Sequence, residues 1–371
     1  MNHSFRRLVP VTAAVTALAF GVAGCGAANE TQTKTTSAEA RVGSGQVRGT
    51  LNGAGSSAQQ AAQAAWTAGF QNANPGTTVN YDPSGSGAGV EQFLAGGVQF
   101  AGSDAYLSDE QVTASKKTCG GQSAIEVPDY ISPIAVVFHL DGVQKLRLSA
   151  AAIASIFAGK ITSWDDPAIK AENPGVNLPA QQITPVHRSD DSGTTNNFTE
   201  YLHETAGNVW TFPASETWPV KSGEGAKGTS GVVAAVKSGS GTIGYADASQ
   251  AAGLSTAAVK VGSAYVGPQA AAAAKAADVS TPVAGRASKD LALKVNRTTT
   301  LAGAYPLVLI SYVIACPSYS DKSTAELVRG YLTYAVSGSG QQTAAKTAGS
   351  APLSGSLSKK ASEALAGISA G

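Results

Sequence analysis

Short apolar runs alternate with polar, glycine-rich segments along most of this chain, and their lengths predict strands that alternate with helices. The first half contains runs with the length of strands, at residues 47–52, 78–81, 100–102 and 134–139. Apolar residues at helical spacing predict helices at residues 59–70, 90–94, 149–158, 195–205 and 232–237. This alternation favours an α/β layer structure, in which helices pack on the faces of a sheet.

The last third of the chain has a stronger apolar pattern. Residues 306–314 form a nearly unbroken apolar run, which predicts a buried strand. Residues 321–336 and 357–368 have the periodicity of amphipathic helices, and the alanine-rich segment 269–278 predicts a further helix. The chain shows no internal repeat, and its 371 residues are sufficient for two domains with separate cores.

The segment 187–198, His-Arg-Ser-Asp-Asp-Ser-Gly-Thr-Thr-Asn-Asn-Phe, carries the main candidate chemistry, which is anion recognition. Arg188 offers a planar fork of N–H donors that matches a tetrahedral oxyanion, and Ser192 and Thr194 add hydroxyl donors. Gly193 lets the backbone come close to a ligand. The pattern predicts a helix that begins near Ser192, whose free N–H groups would point at the anion. The alternative is a capped helix start beside an ordinary surface arginine.

Two other segments have the pattern of a strand, a glycine-serine turn and a helix. They are Gly-Ala-Gly-Ser-Ser-Ala at residues 53–58 and Ser-Gly-Ser-Gly-Ala-Gly at residues 84–89. Each would offer free backbone donors and a hydroxyl at a helix N-terminus. Neither contains the lysine or the complete glycine spacing of a nucleotide-binding loop. In a fourth segment, Phe-Ala-Gly-Ser-Asp-Ala at residues 100–105, a carboxylate follows a short apolar run.

In this order the motifs resemble those of the phosphate-binding protein of the phosphate-specific ABC transporter. The family patterns are Gly-Ala-Gly-x-[Thr/Ser] at residues 53–57, Tyr-x-x-x-Gly-Ser-[Gly/Ser]-x-Gly at residues 81–89, Phe-x-[Ala/Gly]-Ser-Asp-Ala at residues 100–105 and Arg-x-Asp-x-Ser-Gly-Thr at residues 188–194. The resemblance extends from about residue 50 to the C-terminus. Ala58 departs from it, because many relatives carry phenylalanine there, and segment 222–228 is longer than is usual in the family.

The resemblance implies an α/β fold in which two domains form a clamp of the type II periplasmic-binding-protein kind, with a central ligand cleft and two hinge crossings. Domain I would comprise residues 46–138 and 285–371, and domain II residues 139–284. Inorganic phosphate would be the ligand and ABC permease subunits the partners, with no enzymatic activity and no cofactor. The implied phosphate-binding residues are Ser57, Ala58, Ser86, Asp104, Arg188, Ser192, Gly193 and Thr194, with Asp190 holding the guanidinium of Arg188.

Asp104 provides a reason for selectivity between phosphate and sulfate. Phosphate near neutral pH still carries a proton, which a buried carboxylate can accept in a hydrogen bond. Sulfate carries no such proton and would meet Asp104 as a like charge. The alternative for Asp104 is that it caps a helix at residues 105–111, and the two roles could coexist.

The N-terminus has the pattern of a lipoprotein signal peptide, predicted at residues 1–24. Basic residues precede an apolar run at residues 8–23, and the run leads into Val-Ala-Gly-Cys at residues 22–25. Processing would leave Cys25 acylated, with palmitate for example, and would anchor the protein on the extracytoplasmic face of the cell membrane. Residues 25–45 are polar and predict a flexible tether. A membrane-spanning helix is the weaker alternative because the apolar run is short.

The remaining cysteines, Cys119 and Cys316, predict a disulfide. They are the only cysteines left once Cys25 is acylated, and the extracytoplasmic compartment is oxidising. The alternative is two separate buried thiols.

Composition disfavours several other functions. With 26 basic and 25 acidic residues, the chain lacks the excess of positive charge that nucleic-acid binding requires. Its four histidines are not in a metal-ligand spacing, which argues against a zinc or two-metal phosphatase. Lys-Thr-Ala-Gly at residues 346–349 only superficially resembles a β-lactamase motif. Two alternatives stay open: a receptor of the same fold for another oxyanion, such as sulfate or molybdate, and a secreted phosphoesterase.

Overall fold

The structure, a computed structural model, describes residues 47–371 of the chain. The predicted signal peptide, the predicted tether and Cys25 lie outside the described residues. The strands of the described part are β1 Gly49–Gly55, β2 Thr77–Asp82, β3 Phe100–Ser103, β4 Ile125–His139, β5 Lys145–Leu148, β6 Thr184–Arg188, β7 Glu224–Ala226, β8 Thr242–Asp247, β9 Ser255–Val261, β10 Ala264–Val266, β11 Thr281–Pro282, β12 Leu293–Lys294, β13 Val308–Ala315, β14 Ser318–Tyr319 and β15 Ser369–Ala370. Its α-helices are α1 Gln60–Ala73, α2 Ser86–Leu94, α3 Asp109–Thr118, α4 Ala150–Phe157, α5 Pro167–Glu172, α6 Gly193–Ala206, α7 Gly228–Ser238, α8 Ala270–Asp278, α9 Lys322–Val336, α10 Gly338–Ala348 and α11 Gly355–Ala366.

A curled sheet of 11 strands organises this part of the chain, and its main path has the order β2-β1-β3-β13-β4-β8-β6-β7. At one end β1 is parallel to β2 and β3, and at the other β6 is parallel to β7 and β8. Between them, β13 is antiparallel to β3 and β4, and β4 is antiparallel to β8. The predicted α/β fold is confirmed, and it consists of two parallel groups joined by an antiparallel centre.

The strand β4 belongs to both halves of the sheet. Its residues 125–133 pair with β13, and its residues 134–139 pair with β8. Every residue of β4 except His139 is buried. This strand is therefore covered by other elements along nearly its whole length.

Two large apolar clusters lie against this sheet. Trp66, Phe100 and Tyr331 are among the buried residues of the first cluster. Trp164 and Phe198 are among those of the second. At the start of β13 the side chains alternate between the clusters, with Val308 and Ile310 in the first and Leu307 and Leu309 in the second, because successive side chains of a strand point to opposite faces. The two clusters share both central strands, and the boundaries of domains I and II stay a prediction.

The observed elements confirm the predicted start of α6 and exclude one alternative. α6 begins at Gly193 with Ser192 as its N-cap, as predicted. The alternative in which Asp104 caps a helix at residues 105–111 is wrong. The following helix, α3, begins at Asp109 and is capped by Ser108, whose hydroxyl accepts a hydrogen bond from the N–H of Gln111. Asp104 is thereby left for other contacts.

The predicted disulfide between Cys119 and Cys316 is present. It joins the C-cap of α3 to the residue after β13. Ala315 pairs with Phe100 at the start of β3, so the disulfide lies at the opposite end of β3 from Asp104. Among the described helices, none combines the length and the apolar character needed to cross a membrane.

Candidate functional site

The candidate site forms where the loops after β1, β2, β3 and β6 meet. Because β1, β2 and β3 are parallel neighbours, their C-terminal ends lie on one edge of the sheet, where ligands of open α/β sheets bind. The N-terminus of α6 reaches this edge from the other half. A Cβ built on Gly193 would lie 2.6 Å from Ser86 Oγ and 2.9 Å from Asp104 Cβ, so glycine allows a close approach there.

Asp104 is the buried centre of this contact, with 2% of its surface exposed. Its Oδ1 accepts hydrogen bonds from Ser56 Oγ at 2.6 Å and Ser311 Oγ at 2.8 Å. Its Oδ2 accepts one from Thr194 Oγ1 at 2.9 Å. Burial raises the pKa of Asp104, although these three hydroxyls and the positive charge of Arg188 oppose the effect. The carboxyl is held in one orientation, and Oδ2 retains capacity for a further donor.

Arg188 is the last residue of β6 and is also 2% exposed. Its Nε donates to Asp190 Oδ1 at 2.7 Å and its Nη2 to Asp190 Oδ2 at 2.5 Å. Asp190 Oδ1 also accepts the N–H of Gly228 at 3.0 Å. Burial raises the pKa of Asp190, but the hydrogen bonds and charge of Arg188 outweigh it and hold the pKa below its usual value. Asp190 thus fixes the Nε edge of the guanidinium and leaves the Nη1 side of the fork for a ligand.

Two further predicted residues, Ser57 and Ala58, contact other parts of the protein. Ser57 Oγ lies 3.0 Å from Thr229 Oγ1 and accepts the N–H of Thr229 at 3.0 Å. The N–H of Ala58 donates to Ser56 Oγ at 3.1 Å. Ser57 therefore connects the loop after β1 to the first turn of α7 in the other half of the sheet.

Aromatic side chains pack behind Arg188. Tyr245 Oη accepts the backbone N–H of Arg188 at 3.2 Å and lies 2.8 Å from Thr195 Oγ1. Its ring stacks on Phe198 with centroids 4.2 Å apart, and Trp218 stacks on His187 with centroids 5.0 Å apart. These contacts tie the end of β6 to the first turn of α6.

The structure thus brings Ser86, Asp104, Gly193 and Thr194 into contact with one another and pairs Arg188 with Asp190. Ser192 caps α6, with its Oγ accepting the N–H of Thr195 at 3.2 Å. Ala58 is linked to this group through Ser56, whose Oγ accepts the N–H of Ala58 and donates to Asp104 Oδ1. Ser57 instead contacts Thr229 at the start of α7. The described residues contain no cluster of three or more His, Cys, Asp or Glu side chains arranged to hold a metal ion.

Three hydroxyl residues of the site were absent from the sequence prediction: Ser56, Thr229 and Ser311. Ser56 lies within the motif at residues 53–57, beside the residue that was chosen. Ser311 is a polar residue within the apolar strand β13, which is a signal that could have been recognised. Thr229 follows Gly228 in the first turn of α7, and a glycine with a hydroxyl residue at the start of a helix is the pattern that identified the other loops.

A family model described as a PBP superfamily domain matches residues 40–339. "Phosphate-binding protein PstS 3" of Mycobacterium leprae is 37% identical over 338 residues, which cover 88% of this chain and 90% of that protein. "Phosphate-binding protein PstS 2" of Mycobacterium tuberculosis is 36% identical over 327 residues, which cover 86% of this chain and 87% of that protein.

A solved structure with a similar fold is a high-affinity periplasmic phosphate-binding protein, PfluDING, bound with phosphate. It superposes with a TM-score of 0.68 at 24% identity, over 84% of this chain and 92% of that one. At this level of identity the likeness shows the fold alone.

Proposed function

Since this chain belongs to the PstS family of phosphate-binding proteins within the PBP superfamily, we propose that it is an extracytoplasmic receptor that captures inorganic phosphate. The bound phosphate would be delivered to the permease subunits of an ABC transporter for import. Cys25, once acylated, would anchor the receptor to the membrane through the tether at residues 25–45.

The observation that carries the proposal is a buried cation and a buried carboxyl at a junction of helix N-termini. Arg188 would give the Nη1 side of its guanidinium to phosphate, while Asp190 keeps the fork in place. Asp104 would accept a hydrogen bond from the proton that phosphate carries. Ser86 and the first N–H groups of α6 supply further donors for the remaining oxygens.

Phosphate binding would involve both halves of the sheet. Ser57, Ala58, Ser86 and Asp104 belong to the predicted domain I, and the remaining predicted ligands, Arg188, Ser192, Gly193 and Thr194, belong to the predicted domain II. A ligand that is contacted from both sides favours the closed form of a hinged clamp. The contacts of Ser57 with Thr229 and of Thr194 with Asp104 support this proposal, because both join the two halves.

Two other functions are less well supported. A receptor for sulfate or molybdate would place a buried carboxylate, Asp104, beside an anion that has no proton to donate. A secreted phosphoesterase would need a nucleophile or metal, and the relatives are named as phosphate-binding proteins.

Isothermal calorimetry of a soluble form that starts at residue 26 tests the proposal against phosphate, arsenate and sulfate. Phosphate and arsenate should both bind, since each keeps a proton near neutral pH, and sulfate should bind at least about a hundredfold more weakly. Sulfate binding as tight as phosphate binding would favour the other receptor. Turnover of a chromogenic phosphate ester, with or without added metal, would favour the phosphoesterase.

A further inference from the structure

A second carboxyl, that of Glu216, lies at the mouth of the candidate site. Glu216 is in the loop between α6 and β7, and hydrogen bonds fix the backbone around it. The N–H of Ser215 donates to Thr199 Oγ1 at 3.0 Å, and the carbonyl of Glu216 accepts the N–H of Ser192 at 3.1 Å. Thr217 Oγ1 donates to an oxygen of Asp191 at 2.6 Å. The side chain of Glu216 is thereby held beside the N-terminus of α6.

The carboxyl of Glu216 reaches across to the first turn of α2. A Cβ built on Gly87 would lie 2.8 Å from Glu216 Oε2 and 2.7 Å from Asp191 Cβ. α2 packs into the first apolar cluster through Val90 and Phe93, whereas Trp218 packs against the second. Contact between Glu216 and Gly87 therefore joins the two halves of the clamp, at the same junction that holds Ser86.

The charge around Glu216 is mostly negative. The groups that face it come from α2, the end of β3, the end of β6 and the loop before α6: Glu91, Asp104, Arg188 and Asp191. Burial, followed by the charges of Asp191 and Asp104, raises the pKa of Glu216 to about 7, against the opposing charge of Arg188. An additional anion in the site would disfavour the ionised carboxylate further.

We propose that Glu216 is a second proton-binding carboxyl of the site, and that it takes up a proton when the clamp closes on phosphate. A neutral carboxyl can donate its O–H to a phosphate oxygen, whereas a carboxylate beside phosphate would be repelled. The proton comes from solvent, and no covalent bond to phosphate forms or breaks. This inference rests on the proposed function and adds a pH-dependent preference to it.

The direction of the pH effect follows from linkage. In an open form of the clamp the carboxyl of Glu216 would contact water rather than α2, so closure on phosphate would raise its pKa. The added affinity is fully present below the ligand-free pKa and is lost as the pH rises through the pKa of the complex. Phosphate binding should therefore weaken as the pH rises through neutrality, by at most about tenfold per pH unit for one proton.

The test compares the parent with Glu216→Gln, whose amide has nearly the same shape and does not titrate. Phosphate itself changes protonation in this range, but identically for both proteins, so only their difference reports Glu216. Between pH 6 and pH 8 the affinity of the parent should fall at least about threefold more than that of E216Q. Calorimetry at pH 7 in two buffers of different ionisation enthalpy should also find greater proton uptake by the parent.

Glu363→Gln is the matched control, because Glu363 is an exposed carboxylate on α11, outside the candidate site, where it pairs with Lys359. It should keep the pH dependence of the parent. Equal pH dependence and equal proton uptake in the parent and E216Q would overturn this inference alone. Absence of phosphate binding in the parent at every pH would instead overturn the proposed function, and this inference with it.

Discussion

The position of Arg188 at the end of β6 decides what the residue can recognise. It is buried, and one edge of its guanidinium is occupied by Asp190. The entropy of ordering the side chain is therefore lost on folding rather than on binding. A fork held in this way is specific for planar, two-point contact with an oxyanion.

Arg188→Ala should weaken phosphate binding by about two decades or more, since each charge-assisted hydrogen bond contributes roughly 1.5–3 kcal/mol. Arg188→Lys should not restore the affinity, because an ammonium cannot reproduce the fork. Calorimetry measures both, with Arg329→Lys as a control, since Arg329 donates to the carbonyl of Ile368 far along the chain. If Arg188→Ala binds within threefold of the parent, Arg188 is not a ligand.

Asp104→Asn should reduce the ratio of phosphate affinity to sulfate affinity by at least about tenfold. Two unit charges about 4 Å apart repel by roughly 4 kcal/mol at an effective dielectric of about 20. This repulsion between Asp104 and sulfate sets the upper limit of the discrimination between sulfate and phosphate. The amide of asparagine removes this repulsion and can donate to sulfate. Titration of the parent and Asp104→Asn with both anions gives the ratio, and Asp165→Asn provides a control outside the site, where Asp165 pairs with Lys170. An unchanged ratio with an intact circular dichroism spectrum would remove Asp104 from the selectivity mechanism.

At the scale of elements, the site depends on how closely the N-termini of α2 and α6 approach. Glycine at position 87 lets Asp191 and Glu216 lie against α2, and glycine at position 193 lets Ser86 lie against α6. A Cβ built at either position would lie within 3.0 Å of atoms that belong to the other half of the sheet. Small residues on both helices are thus a condition for closure.

Gly87→Ala should therefore weaken phosphate binding by about tenfold, because overpacking of this kind costs roughly 1–3 kcal/mol. The stability of the ligand-free protein should change little if its cleft is free to open. Gly355→Ala is the matched control, since Gly355 also begins a helix and nothing lies within 4 Å of its built Cβ. Calorimetry gives the phosphate affinity, and thermal unfolding the stability, of Gly87→Ala and Gly355→Ala. If Gly87→Ala binds phosphate as tightly as the parent, binding does not require the close approach of α2 and α6.

The sequence predicted elements well where local signals agree and missed those that depend on distant contacts. The glycine-serine turn and apolar spacing around Ser192 locate the start of α6 correctly. α10 was missed because its first turn is Gly-Ser-Gly, which has low helix propensity. That turn is stabilised from a distance, where Trp66 Nε1 donates to the carbonyl of Gly340 at 2.8 Å.

The candidate site, too, was predicted where its residues form a local pattern and missed where it depends on contacts between distant parts of the chain. The four motif loops could be recognised from their residues, because each has a local strand–turn–helix pattern. The contact of Ser311 with Asp104 requires β13 to lie beside β3, with Tyr312 opposite Ser103. That pairing joins distant parts of the chain, and no short-range pattern specifies it.

At the scale of the whole molecule, the disulfide and the site lie at opposite ends of β3. The double variant Cys119→Ala, Cys316→Ala should lower the free energy of unfolding by about 5 kcal/mol in the chain-entropy model, since the bridge spans 197 residues. The melting temperature should fall by on the order of 5–10 °C. Phosphate affinity at 25 °C should stay close to that of the parent, and a parallel loss of affinity would indicate that the bridge supports the site directly.

Closure should be visible in solution as a change of size. Ligand-contacting residues lie on both sides of the cleft, and Ser57 already joins the two sides through Thr229. Saturating phosphate should therefore reduce the radius of gyration measured by small-angle scattering. The same measurement with sulfate is the control, and an unchanged radius with phosphate would contradict binding from both sides.

The shared strands β4 and β13 have a consequence for the order in which the protein can be made. β3 and the first part of β4 have β13 as their common neighbour, and β13 lies in the last fifth of the chain. While the chain emerges from a ribosome or crosses a membrane, the first sheet group has an unpaired edge until β13 arrives. Folding is therefore completed late, and the N-terminal part must avoid aggregation until almost the entire chain is available.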